Sequence, residues 1–151
     1  MATSSAVDTN VSNLPAADQA RTDITTTGTT TTVSVTGPAL SDLVVETSTL
    51  APSLTLDGSF KSSSFVGGAA IPEKFTVTGG NRVKKSNFVL GSDSFKDTVK
   101  FDGNAKAKKV TIKDFADGDK LKYKGDTYKA SDIRADGKGF EGLSRKEIRL
   151  A

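Results

Sequence analysis

An all-β chain is what this sequence predicts, and three observations predict it. Residues 109–113 (KVTIK) and 120–124 (KLKYK) alternate apolar and polar residues with the period of an extended strand. Similar short runs recur at roughly ten-residue spacing, separated by Gly, Pro and Ser. No stretch sustains a helical periodicity. The expected architecture is two small β modules behind an extended arm: residues 1–20 the arm, 21–80 a Thr/Gly-rich sandwich-like module, and 81–151 a Lys-rich β-roll and hairpin module.

Residues 1–20 are small and polar and read as the arm, with an extra strand through Val11 and Leu14 as the alternative. TTTTVSVTGP (29–38) alternates through Val33 and Val35. Threonine favours strands, so this tract reads as a strand in preference to a glycosylated stalk. LVVET (43–47), SLTLDG (53–58), SFVGG (64–68) and KFTVTGG (74–80) continue the pattern. Gly79-Gly80 and the basic run 81–86 mark the expected boundary. Residues 1–80 hold 3 basic and 7 acidic groups, a net −4, whereas 81–151 hold 18 basic and 11 acidic, a net +7. The second module continues with NFVLG (87–91), DTVKFDG (97–103), KVTIKD (109–114), DKLKYKG (119–125) and DTYKASDI (126–133). Lys124-Gly125-Asp126 predicts a tight hairpin between strands anchored by Tyr123 and Tyr128, and Asp102-Gly103 and Asp117-Gly118 predict further turns. The last segment is open between a capped helical turn from Ser144 to Glu147 and a strand through Ile148 and Leu150.

Composition narrows the chemistry. The chain has no cysteine and no histidine. Thiol and imidazole catalysis, disulfides and thiolate or imidazole metal sites are therefore outside its repertoire. No carboxylate pair is flanked by the apolar residues that would raise one pKa, and GNAKAKK (103–109) lacks phosphate-loop spacing. We expect no enzyme. No apolar run reaches the ~18 residues of a membrane span, and the N-terminus lacks a basic start with an apolar stretch.

GSDSFKDTVKF followed by KVTIKDFADGDKLKYKGDTY resembles the end of a calcium-binding RTX β-roll, over residues 88–133. The resemblance makes Asp97 the repeat aspartate and Val99 its apolar partner, with Ser92, Asp93 and Phe95 where the family has glycines. Asp114, Asp117 and Asp119 form a second group of oxygen ligands around a glycine. No cofactor is expected, since Asx turns account for these aspartates; calcium, at Asp97, Asp114, Asp117 and Asp119, is the one alternative.

Lys100, Lys113, Lys122 and Lys124 fall opposite the apolar set Val99, Phe101, Val110, Ile112, Leu121 and Tyr123. Such a stripe suits a solvated face or an acidic protein partner better than nucleic acid, because both tyrosines share the apolar register. In composition and style the chain resembles decoration or knob-like proteins of tailed-phage capsids. That resemblance implies a virion location, a capsid or other virion protein as partner, attachment through the N-terminal part, and a possible homo-oligomer. The alternatives are an extracellular RTX-like or adhesin module that binds calcium, and a nucleic-acid-binding β module.

Overall fold

The computed structural model describes residues 7–9, 14–47, 53–67, 72–91 and 94–151. Its strands, numbered in chain order, follow the expected alternation closely. β1 (Val7–Thr9), the short helix α1 (Ala16–Ala20) and β2 (Thr22–Thr27) come first. A first coil is then built from β3 (Thr30–Val35), β4 (Leu40–Ser41) and β5 (Val44–Thr47). The second coil uses β6 (Ser53–Asp57), β7 (Phe60–Lys61) and β8 (Ser64–Val66), and the third β9 (Lys74–Val77), β10 (Arg82–Lys84) and β11 (Asn87–Val89). The fourth has β12 (Thr98–Phe101), β13 (Lys106–Lys108) and β14 (Val110–Lys113). β15 (Lys120–Tyr123) opens a fifth, interrupted by β16 (Asp126–Tyr128) and closed by β17 (Ile148–Leu150).

Equivalent strands of successive coils pair in parallel, so the chain is a β-solenoid with three sheets. A long sheet runs β16-β15-β12-β9-β6-β3-β2, a six-stranded sheet β1-β5-β8-β11-β14-β17, and a short sheet β13-β10-β7-β4. The register Thr31, Leu54, Phe75, Val99, Leu121 gives a coil of 21–24 residues. Sequence patterning explains why each coil closes on itself. One of every two strand residues points inward, and these stack into columns: Leu40-Phe60-Val83-Ala107 in the short sheet and Val45-Phe65-Phe88-Ile112-Leu150 in the six-stranded one. All of these side chains are buried. Each contributes about 1.5–3 kcal/mol if fully removed from water, less for the alanine. Phe88 touches three other rings, Phe65 at 5.1 Å, Phe75 at 5.7 Å and Phe101 at 6.0 Å between centroids.

The corner from the short to the six-stranded sheet is the same in four coils. Asp42, Ser62, Lys85 and Lys109 all have φ between 50 and 62°, a region costly for residues with a Cβ. Their backbone N–H groups offset this by donating to Lys61, Lys84, Lys108 and Lys146 carbonyls at 2.8–3.1 Å. The corner after β6 needs glycine outright. Gly58 has φ 155°, and a Cβ there would lie 2.8 Å from Val35 Cβ.

The all-β class expected from sequence is the class observed. The arrangement within it is different from a sandwich followed by a roll, because strands 22 or so residues apart pair in parallel where a sandwich would pair neighbours antiparallel. Period-two alternation reads the same in both. Residues 79–86 lie within the stack: β9 and β10 each pair with the coil before and the coil after. The hairpin at Lys124-Gly125-Asp126 is present, with Tyr123 opposite Asp126 and Leu121 opposite Tyr128. Its two turn residues, Lys124 and Gly125, have φ of 53 and 86°, the positive values that a tight hairpin favours. The chain end forms the strand, with Glu147 and Ile148 N–H groups both donating to Ser144 O in the turn before it.

The described part of the N-terminal segment lies against its own first coil. β1 pairs antiparallel with β5 and β2 with β3, so these strands cover one end of two sheets. Leu14 is buried, and Gln19 Nε2 donates to its carbonyl at 2.8 Å. Val11 lies outside the described residues.

Candidate functional site: an acidic corner and a basic face

The four aspartates singled out in the sequence separate into two pairs. Asp97 and Asp119 sit just before β12 and β15, at the same corner of consecutive coils, with Glu73 in the equivalent place before β9. All three are buried. Thr98 N–H donates to Glu73 O and Lys120 N–H to Asp97 O, both at 2.9 Å, which stacks the three acids in register. The two aspartate carboxylates cap backbone donors. Asp97 Oδ1 accepts from Glu73 N–H at 2.8 Å, Asp119 Oδ1 from Asp97 N–H at 2.9 Å, and Asp119 Oδ2 from Ala116 N–H at 2.8 Å. Asp114 and Asp117 are exposed in the connection before β15, Asp114 with φ 61°. Among the described residues no three acidic side chains are grouped as a metal site would need. Ser92 and Asp93 lie outside the described residues, and Phe95 is 38% exposed.

The proposed lysine stripe also separates. Its apolar partners are all buried as expected. The lysines themselves, however, belong to different faces. Lys100 and Lys122 are neighbours on the outside of the long sheet. Lys113 lines an open cleft with Lys138, Arg145 and Arg149, where Arg149 Nε donates to Thr111 Oγ1 at 3.0 Å. Lys124 is tied to Glu147, which raises its pKa from the ordinary lysine value.

A denser basic face was missed. On the short sheet the inward residues are Leu40, Phe60, Val83 and Ala107. The outward ones are Ser41, Lys61, Arg82, Lys84, Lys106 and Lys108. Lys61, Lys84 and Lys108 stand in direct register, as do Arg82 and Lys106. The corner adds Lys85 and Lys109. Adjacent strands are ~4.8 Å apart, so the backbone positions of these lysines repeat at that rise. No ion pair among the described residues involves any of these seven cations. The crowding lowers the pKa of Lys84, first through Lys108, then through burial, Lys85, Lys61 and Arg82. The signal lay in the segments GSFK (58–61), GNRVKK (80–85) and GNAKAKK (103–109), which are equivalent pieces of three successive coils. Only the repeat brings them together.

At the C-terminal rim of this face Tyr123 ties three elements together. Ala107 N–H donates to its hydroxyl at 3.2 Å, and the hydroxyl donates to Glu147 Oε1 at 3.0 Å. Burial is the largest cause of its raised pKa.

No protein family, curated protein or solved structure matches this chain.

Proposed function

We propose that the chain is a non-enzymatic structural protein of a virus particle, a decoration element seated on a larger shell, with a capsid or other virion protein as its partner. The observation that carries this reading is the capped stack. Antiparallel β1 and β2 cover one end of the two larger sheets and β16 the far end of the long one, which supports attachment through the lateral faces in preference to the stack ends. The N-terminal arm was the expected anchor. Since β1 pairs with β5 of the first coil and Leu14 is buried, we assign attachment to a lateral face instead. The test is fractionation. The purified chain should elute alone as a compact monomer and co-sediment with particles at a fixed copy number per shell. A chain that remains free of particles, or that assembles with itself to the same extent without them, overturns the proposal.

An extracellular calcium-binding module is the second reading, favoured by the in-register stacking of Asp97 and Asp119. Calorimetric titration decides it, since a micromolar or tighter Ca²⁺ dissociation constant would put it first.

A further inference from the structure

We infer that the outer face of the short sheet is a docking surface for the phosphate backbone of double-stranded nucleic acid, bound without regard to sequence. This goes beyond the structural role and does not depend on it.

The face is costly as built. Like charges placed directly opposite each other on neighbouring strands are destabilising. Here Lys61, Lys84 and Lys108 are opposite in succession and Arg82 is opposite Lys106. Edge protection, a common reason for strand lysines, applies to an outermost strand. It covers Lys106 and Lys108 on β13. It does not cover Lys61, Arg82 and Lys84, because β7 and β10 are the two interior strands of that sheet. Solubility alone is met by mixed charge, which the long sheet carries in its Lys100–Asp102 pair at 3.3 Å. The outward residues of β7, β10 and β13 are all cations, with one acid, Asp42, at the corner of the first coil, and such a concentration of one sign is what a polyanion requires.

The choice of polyanion follows from what the face lacks and from its residue type. Its outward positions hold no aromatic side chain. Splayed bases of a single strand are held by stacking, and this face provides no platform for it. A duplex keeps its bases stacked internally and presents one charge per ~1.7 Å of axis, the density that a close-set array of point charges can neutralise. Lysine, which supplies six of the seven cations, binds phosphate as a point charge, without the planar fork by which arginine makes its specific bidentate contacts.

Fluorescence anisotropy with a ~20-base-pair duplex of arbitrary sequence tests this. If about five of the seven cations contact phosphates, log Kd rises with log salt at a slope near 4.5, an affinity loss of about 500-fold between 50 and 200 mM. The triple variant Lys61→Gln, Lys84→Gln, Lys108→Gln should lower that slope by about 2.7. Relief of the like-charge stack should leave its melting temperature equal to or above that of the parent. A control triple on other faces, Lys100→Gln, Lys113→Gln, Lys122→Gln, should bind as the parent does. The inference is overturned if the duplex does not bind at 50 mM salt, or if the control triple loses as much affinity as the first. It also fails if heparin or polyglutamate binds while the duplex does not.

Discussion

Replacing Tyr123 by phenylalanine removes one oxygen and leaves the ring in place, so its effect isolates the hydroxyl bridge between β13, β15 and the turn before β17. The ring stays packed against Phe101, 5.2 Å away between centroids. The loss is of partners. Ala107 N–H, on a residue 5% exposed, would have no acceptor, and an orphaned buried amide costs about 1–3 kcal/mol. Glu147 keeps Lys124, so losing the hydroxyl there adds little. We expect a destabilisation of about 2 kcal/mol, which for a chain of this size lowers Tm by about 4–8 °C. Urea unfolding should show a lower midpoint at unchanged slope, and Ala107 should lose amide-exchange protection. The pH dependence gives a second handle. Because the folded-state pKa of Tyr123 is raised, its contribution is complete below about pH 10, where the unfolded phenol is still neutral. It declines as pH rises from there through the folded value. The stability gap between parent and variant should therefore narrow above pH 10. A change under about 0.5 kcal/mol with Ala107 still protected would refute the bridge.

Other substitutions probe the rest of the stack. Phe88→Ala empties the hub of the ring column and should cost about 3–5 kcal/mol by denaturant titration, more than the Ile112→Val change one coil away, at about 0.5–1.5. Asp119→Ala orphans the buried Asp97 amide, while the exposed Ala116 amide turns to water, and should cost about 1–3 kcal/mol whether or not calcium is added. Gly58→Ala forces a Cβ onto Val35 and should lower Tm measurably, whereas Gly137→Ala, with open space around it though also at positive φ, should do less harm. Limited proteolysis should spare residues 79–86, since β10 within them is paired on both sides; early cutting at that point would show two separable units.

Strand identity was legible because alternation is a local property. Val33, Val99, Ile112 and Leu121 announce their inward side from their immediate neighbours, and each is buried. The hairpin at Lys124-Gly125 was legible for the same reason. Parallel pairing was not, since Leu54 and Phe75 become partners only when the 21-residue offset is noticed. Coil lengths that vary by a few residues, and corners that change from Gly-Pro to Asp-Gly to Gly-Gly, obscure that offset. The basic face was hidden by the same cause. Lys122 and Lys124, two positions apart, end on different surroundings, whereas Lys61 and Lys108, 47 positions apart, flank the same Lys84. Aspartate spacing misled in a related way: Asp114 and Asp117 are close to Asp119 along the chain, but its stacked neighbour is Asp97, a full coil earlier.

The repeated left-handed corner at Asp42, Ser62, Lys85 and Lys109 makes length an adjustable variable of this molecule. Each corner hands its N–H to the coil that follows, so a coil inserted between two others meets the same donor on one side and the same acceptor on the other. Duplicating residues 74–97, one complete turn from the start of β9 to the start of β12, would lengthen the rod by ~4.8 Å and leave both ends as they are. It would also add Arg82, Lys84 and Lys85 once more to the short-sheet side. Charge on that side thus scales with the number of turns, and a gene could tune it by slippage without designing a new surface.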